Sequence, residues 1–387
     1  MAVQTVSQER SLLDRLTAFF ASRTGIIATG GIIGLLAALL QNQGNPPNMG
    51  ICMACFERDI AGALGLHRAA AVQYIRPEII AFVFGSTTAA LVFREFKARA
   101  GSAPIVRFIL GIFAMIGALV FLGCPWRALL RLAGGDLNAV IGLAGLVVGI
   151  SGGVWFLRQG YTLGRSQRTP AAVGWIMPAI MLLLLILLLT GVVFSEGGPI
   201  FFSASGPGAQ HAPILISIGA GLVIGFAAQR TRFCTMGSIR DVILMRDTHL
   251  LSGIIALTVV ALAANLALGQ FKLGIELQPI AHSNHLWNFL GMALAGLAYA
   301  LAGGCPGRQV FLSGEGDGDA AVFVLGMIVG AGFAHNFALV ASPDRLSDTG
   351  ALIVGGPGVY GQIAVILGLV VTIALGFAMR ERAKSAA

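Results

Sequence analysis

Cysteine and arginine occur together at four places in this chain, and the four places form two matched pairs. Gly50-Ile-Cys52-Met-Ala-Cys55-Phe-Glu-Arg58-Asp59 recurs as Arg232-Phe-Cys234-Thr-Met-Gly-Ser-Ile-Arg240-Asp241, and Gly123-Cys124-Pro125-Trp126-Arg127 recurs as Gly304-Cys305-Pro306-Gly307-Arg308. Both pairs have the same separation to within one residue. After the second match, Gly135-Asp136, Ala139, Gly145 and Gly149 keep register with Gly316-Asp317, Ala320, Gly326 and Gly330. A thiol is a weak S–H donor and a soft partner, and a guanidinium holds anions. A duplicated unit that keeps both predicts a transporter whose pathway lies at the repeat interface. The candidate pathway residues are therefore Cys52, Cys124, Cys234 and Cys305 with Arg58, Arg127, Arg240 and Arg308.

The elements that must hold these groups are set by composition. With 56% hydrophobic residues, 11% charged residues and a mean hydropathy of +0.85, the chain reads as an all-α polytopic membrane protein. About ten spans are predicted, at 25–40, 79–93, 104–122, 137–157, 173–194, 214–228, 251–268, 287–302, 320–341 and 358–378. They divide into a lead-in (1–23), a first membrane repeat (24–195), an outer linker (196–212), a second membrane repeat (213–379) and a tail (380–387). The lead-in carries Arg10, Arg15 and Arg23, and the apolar segment after it has no convincing small-residue cleavage site, so it reads as cytoplasmic.

The formal charge of +8 is explained by where the bases lie, not by nucleic acid. Arg94, Lys97, Arg99 and Arg107 fall in one loop; Arg158, Arg165 and Arg168 in another; Arg230, Arg232, Arg240 and Arg246 in a third; Arg380, Arg382 and Lys384 at the end. All belong to one side, and the alternate loops are poorer in bases. The positive-inside rule then puts both termini in the cytoplasm. An odd number of spans separates the copies, which predicts inverted repeats.

Each Gly-Cys-Pro segment predicts a re-entrant half-helix: proline suits the first turn, and the glycines at Gly134 and Gly135, or Gly314 and Gly316, suit a stop. Cys124 and Cys305 would be the N-caps, beside unpaired N–H groups and a partial positive charge that attract anions and lower a thiol's pKa. The opposing consideration is that a thiolate repels an anion, so the pathway cysteines are expected to act as neutral thiols. Arg58 and Arg240 could instead pair with Asp59, Asp241, Asp136 or Asp317 and only lock the loops. Cys55 has Gly237 as its repeat partner, and with His67 it supplies no tetrahedral metal set, so no metal or cofactor is expected. His335 lies in a span and suits a helix–helix hydrogen bond or a proton relay, while His211, His282 and His285 are expected in solvated outer loops. Gly221 and Gly225, like Gly326 and Gly330, have close-packing spacing.

The Cys234-Thr-Met-Gly-Ser-Ile-Arg240-Asp241, Gly304-Cys305-Pro306-Gly307-Arg308 and Gly123-Cys124-Pro125-Trp126-Arg127 segments, set in two halves, resemble the YeeE/YedE family of sulfur transport membrane proteins. The long first half, with Asn48-Met-Gly-Ile-Cys52 and Ala71-Val-Gln-Tyr-Ile-Arg-Pro77, is most similar to the YedE branch associated with selenium transport. The resemblance implies uptake of thiosulfate or a related sulfur or selenium species by an inverted-repeat fold with pathway cysteines. It also implies, in some relatives, a TusA-like sulfur-carrier protein on the cytoplasmic side. The alternative reading is a membrane thiol oxidoreductase or persulfide-handling enzyme using Cys52 and Cys55, or Cys305. Replacing Cys55 alone should damage that activity and spare transport. No nucleotide-binding loop is present, so coupling by ATP within the chain is not expected.

Overall fold

In a bilayer every backbone N–H and C=O must find its partner inside the chain, and the apolar runs accordingly fold as helices. The computed structural model describes residues 12–191 and 200–381. Arg10, Arg382, Lys384, the end of the predicted 173–194 span and the first residues of the predicted linker lie outside the described residues. A short α1 (Leu12–Ala21) precedes α2 (Arg23–Asn42), α3 (Met53–Ala63), α4 (Pro77–Val92), α5 (Pro104–Phe121), α6 (Pro125–Ala133), α7 (Asn138–Arg158) and α8 (Ala171–Leu189). The same succession follows in α9 (Ile214–Arg230), α10 (Thr235–Met245), α11 (His249–Ala267), α12 (His285–Ala302), α13 (Pro306–Gly314), α14 (Gly318–Asn336) and α15 (Val359–Ala378). Among the described residues, nine helical segments are long and apolar enough to cross a membrane, and α4 is a shorter apolar helix. The protein is a multi-pass, all-α membrane protein.

Packing follows the duplication. α2 lies on α11 as α9 lies on α4, α7 on α12 as α14 on α5, and α6 on α11 as α13 on α4. The halves are interleaved. Glycines allow the close approach: a Cβ on Gly225 would strike the Phe82 carbonyl oxygen and one on Gly85 that of Leu222, and Gly326 and Gly111 meet Phe108 and Phe323 in the same way. Without a hydrophobic drive between helices in lipid, such backbone-to-backbone contact supplies the dispersion that holds them.

The loops sort into two faces. On one, β1 (Arg99–Ala100) pairs antiparallel with β2 (Gln167–Arg168), Arg230 and Arg232 meet Glu95 at 2.8 and 2.9 Å, Tyr161 bridges to Arg380, and Arg23 reaches Thr248. This is the base-rich face. On the other, Arg76 donates to the Pro207 and Gln210 carbonyls, Asp136 bridges to Gly274, and β3 (Arg345–Leu346) pairs with β4 (Leu352–Ile353). The half-helices α3 and α6 end at this second face, where the Ala63 carbonyl accepts from Phe201 and the Gly134 carbonyl from Lys272. α13 ends at the base-rich face, its Glu315 carbonyl accepting from Lys97.

Two histidines depart from expectation: the buried His335 Nε2 has no hydrogen-bond partner among the described residues, its ring lying against His67 instead, and His282 lies in the interior. His282 is wholly buried, its Nε2 donating to the Val120 carbonyl at 2.8 Å while Asn288 donates to its own carbonyl. The short link before α12 folds into the protein instead of leaving it. Burial, aided by the charge of Arg131 and opposed by the Val120 hydrogen bond, pushes the ring from 6.5 down to about 4. The unfolded chain therefore takes up the proton first as the pH falls. The stabilisation is fully present above about pH 6.5 and disappears between there and about pH 4. The melting temperature should drop over that window, and His282→Gln should flatten the drop.

Candidate functional site

Local sequence builds the site from four helix beginnings. Cys52 caps α3 with its Sγ accepting from the Cys55 N–H at 3.3 Å, and Cys234 caps α10 with its Sγ accepting from the Gly237 N–H at 3.2 Å. Cys124 and Cys305 are the N-caps of α6 and α13, each with proline at the first turn. These helices have nine to eleven residues, which is too short to span a bilayer.

The fold joins the caps within each half. Cys52 Sγ lies 3.8 Å from Cys124 Sγ, and Cys234 Sγ lies 3.7 Å from Cys305 Sγ. All five cysteines are free and buried. The first cluster has a third member that repeat-matching missed, because Cys55 Sγ sits 2.7 Å from Cys52 Sγ and accepts from Arg127 Nη1 at 3.6 Å. The i, i+3 spacing on one helix face was the available signal.

Aromatic groups bridge the two clusters. Trp126, two residues after Cys124, packs edge-on against Phe233, next to Cys234, with centroids 5.5 Å apart. Its ring also lies against the backbone of Gly307. Tyr299 of α12 is fully buried and within electrostatic range of Cys52, Cys124, Cys305 and Glu57. The Tyr299 hydroxyl, the Trp126 Nε1 and both carboxyl oxygens of Glu57 are buried with no hydrogen-bond partner among the described residues. Such groups are costly to leave unmatched unless something else visits them.

The arginines divide by partner. Arg58 pairs with Asp59 at 2.6 Å, and Arg76 takes the other Asp59 oxygen at 2.7 Å. Arg240 pairs with Asp241 at 2.8 Å, its side chain 34% exposed. This is the pairing that locks a loop. Asp136 and Asp317 serve other partners, Arg131 at 2.6 Å and Arg99 at 2.8 Å. Each lies beyond the end of its own half-helix, out of line with Arg58 and Arg240. Arg308 meets Glu315 at 3.3 Å, and Arg232 joins the same carboxylate at 3.1 Å. Arg127 differs: fully buried, it has no carboxylate partner among the described residues and donates to the carbonyls of Leu122, Asn48 and Ile280. Its charge is left facing the first thiol cluster.

The arrangement places soft sulfur groups beside helix N-termini and the charge of Arg127, a combination that suits a soft anion. Residues 230–387 match the family model described as Sulphur transport. The matched stretch contains the whole second cluster, with Cys234, Arg240, Cys305 and Arg308. No curated protein matches the chain.

Proposed function

We propose, from the match of residues 230–387 to the family model described as Sulphur transport, that the protein takes up a small reduced-sulfur anion, thiosulfate or a selenium counterpart, through the capping thiols of the two clusters. The observation that carries this reading is the recurrence of one device, a capping cysteine within 3.8 Å of a second capping cysteine, in each half of a buried centre. On this reading the halves are inverted repeats, one opening toward each side, and the base-rich face is cytoplasmic. A TusA-like carrier would receive the substrate there.

The chemistry suits the cargo. A permeation site must bind strongly enough to admit the ion and weakly enough to release it. A thiol, a poor hydrogen-bond donor with a polarisable sulfur, meets both needs for a terminal sulfur or selenium atom. Entry of an anion toward a negative interior is opposed by about 2.3 kcal/mol per charge at 100 mV, so accumulation needs a coupled step or trapping on the far side.

The test is growth on thiosulfate as sole sulfur source in a host lacking its own thiosulfate uptake. Rescue by the wild type supports the reading. Well-expressed protein that gives no rescue shifts the substrate to a selenium species, measured as selenium entering a selenoprotein.

A second reading has one observation in its favour. The 2.7 Å approach of Cys52 and Cys55 suits a membrane thiol oxidoreductase. Cys55→Ala separates the two, abolishing thiol exchange while sparing uptake.

A further inference from the structure

Glu57 stands apart from every other acid near the thiols. Asp59 is held by two arginines and Asp136 by Arg131, whereas Glu57 is completely buried and neither of its oxygens has a partner among the described residues. Its repeat partner is Ile239, so the carboxyl is not part of the duplicated scaffold. Its position two residues beyond Cys55 on α3 brings it within electrostatic range of the Cys55 and Cys124 thiols. The unpartnered Tyr299 hydroxyl of α12 is within electrostatic range of Glu57 and also of Cys305 of the second cluster.

Among the described residues no cation is paired with this carboxyl, and Arg127 of α6 directs its donors to the Leu122, Asn48 and Ile280 carbonyls and to Cys55 Sγ. On its own helix Arg58 is turned to Asp59, and Arg76, from the start of α4, meets Asp59 as well. From α14, His335 stacks on His67 with centroids 4.3 Å apart. Arg107 of α5 is bonded to the Ser102 and Ala302 carbonyls, and Arg308 of α13 is held by Glu315. The titratable groups within electrostatic range of Glu57 are thus Cys55, Cys124 and Tyr299. A carboxylate so situated is favoured only with a proton bound.

Resting on the transport reading, we infer that Glu57 is a proton-binding site that makes uptake proton-coupled. The neutral acid donates a hydrogen bond when the anion occupies the first cluster. The proton then accompanies the anion past Tyr299 to the second cluster and is released on the cytoplasmic side. The Glu57 O–H bond breaks as the proton leaves and is re-formed by a proton taken up from the outside, no other covalent bond changes, and each proton carried lowers the charge moved against the membrane potential by one.

Liposomes holding the purified full-length protein test this with labelled thiosulfate. The accumulation ratio should rise about tenfold per unit of inward pH gradient for one proton carried, and adding thiosulfate should make the outside medium more alkaline. Glu57→Gln should remove the gradient dependence of whatever flux remains, and Glu57→Asp should retain it. Wild-type uptake that ignores the gradient, or Glu57→Gln protein that still follows it, overturns the inference. Wild-type protein that moves no thiosulfate sinks the transport reading, and this inference with it.

Labelling of the wild type with dicyclohexylcarbodiimide, which attacks protonated carboxyls in apolar surroundings, decides the matter if Glu57→Gln fails to fold. An adduct on Glu57 that accompanies loss of the gradient response supports the site. Loss of the response with Glu57 unmodified overturns it.

Discussion

Alanine at Cys124 or at Cys305 is expected to lower the initial rate of thiosulfate uptake roughly ten- to a hundredfold. Each side chain is the N-cap of a half-helix and lies beside the other capping cysteine of its own cluster, at 3.8 and 3.7 Å. Removing either takes away one S–H donor from a buried anion, and a hydrogen bond to a charged group contributes about 1.5–3 kcal/mol. Felt at the highest barrier, that difference gives the stated range. Neither position uses its sulfur to cap the helix backbone, so the half-helices should survive. Serine keeps a donor of nearly the same shape but offers a harder, more strongly hydrated oxygen, so it should fall between cysteine and alanine. The check is labelled-thiosulfate uptake at matched expression. A variant at either position that transports at the wild-type rate would remove that thiol from the path.

Asp59→Ala should destabilise the protein by about 3–5 kcal/mol, because it strands two buried guanidinium groups. Arg58 and Arg76 are 3% and 0% exposed and share this single carboxylate. Arg76 keeps its carbonyl partners from the 207–210 loop and its stacking on Phe56, but nothing replaces the charge. The second half contains its own control. Asp241→Ala removes the equivalent partner of Arg240, which is 34% exposed, and there solvent screens the loss, leaving an effect of about 1 kcal/mol or less. Thermal unfolding in detergent would show a large shift for the first variant and a small one for the second. Equal shifts would mean that the two arginine pairs are not as unlike as their burial makes them.

The features legible in the sequence were those that the duplication wrote twice. Cys52 with Cys234, Cys124 with Cys305, and the Gly-Cys-Pro starts of α6 and α13 stand out because the second copy rules out accident. The long apolar runs declare themselves by length alone. What matching could not find is what only one copy possesses. Cys55 faces Gly237 across the repeat and Glu57 faces Ile239, so a search for shared residues passes over both. Tyr299 lies in an apolar span where its sequence neighbours give it no distinction, and it is the packing of α12 against α5 and α7 that buries it within electrostatic range of both thiol clusters. Of the acids open to Arg58 and Arg240 in the sequence, the adjacent Asp59 and Asp241 are the partners found, whereas Asp136 and Asp317 pair elsewhere. Asp136 follows Arg131 by five residues, across the end of α6, a spacing that no helical pattern advertises, so the pairing waits on the turn at Gly134 and Gly135. His282 sat in a polar stretch that composition marks as loop, and burial of that loop depends on the Val120 carbonyl, which lies in a different half of the chain.

The central claim is that the four capping thiols carry a reduced-sulfur anion through the protein. Labelled-thiosulfate entry into liposomes, compared between the wild type and a variant with alanine at Cys52, Cys124, Cys234 and Cys305 together, tests it most directly. The account predicts saturable entry with the wild type and entry no faster than through protein-free liposomes with the folded variant. Entry through the variant at the wild-type rate would contradict it.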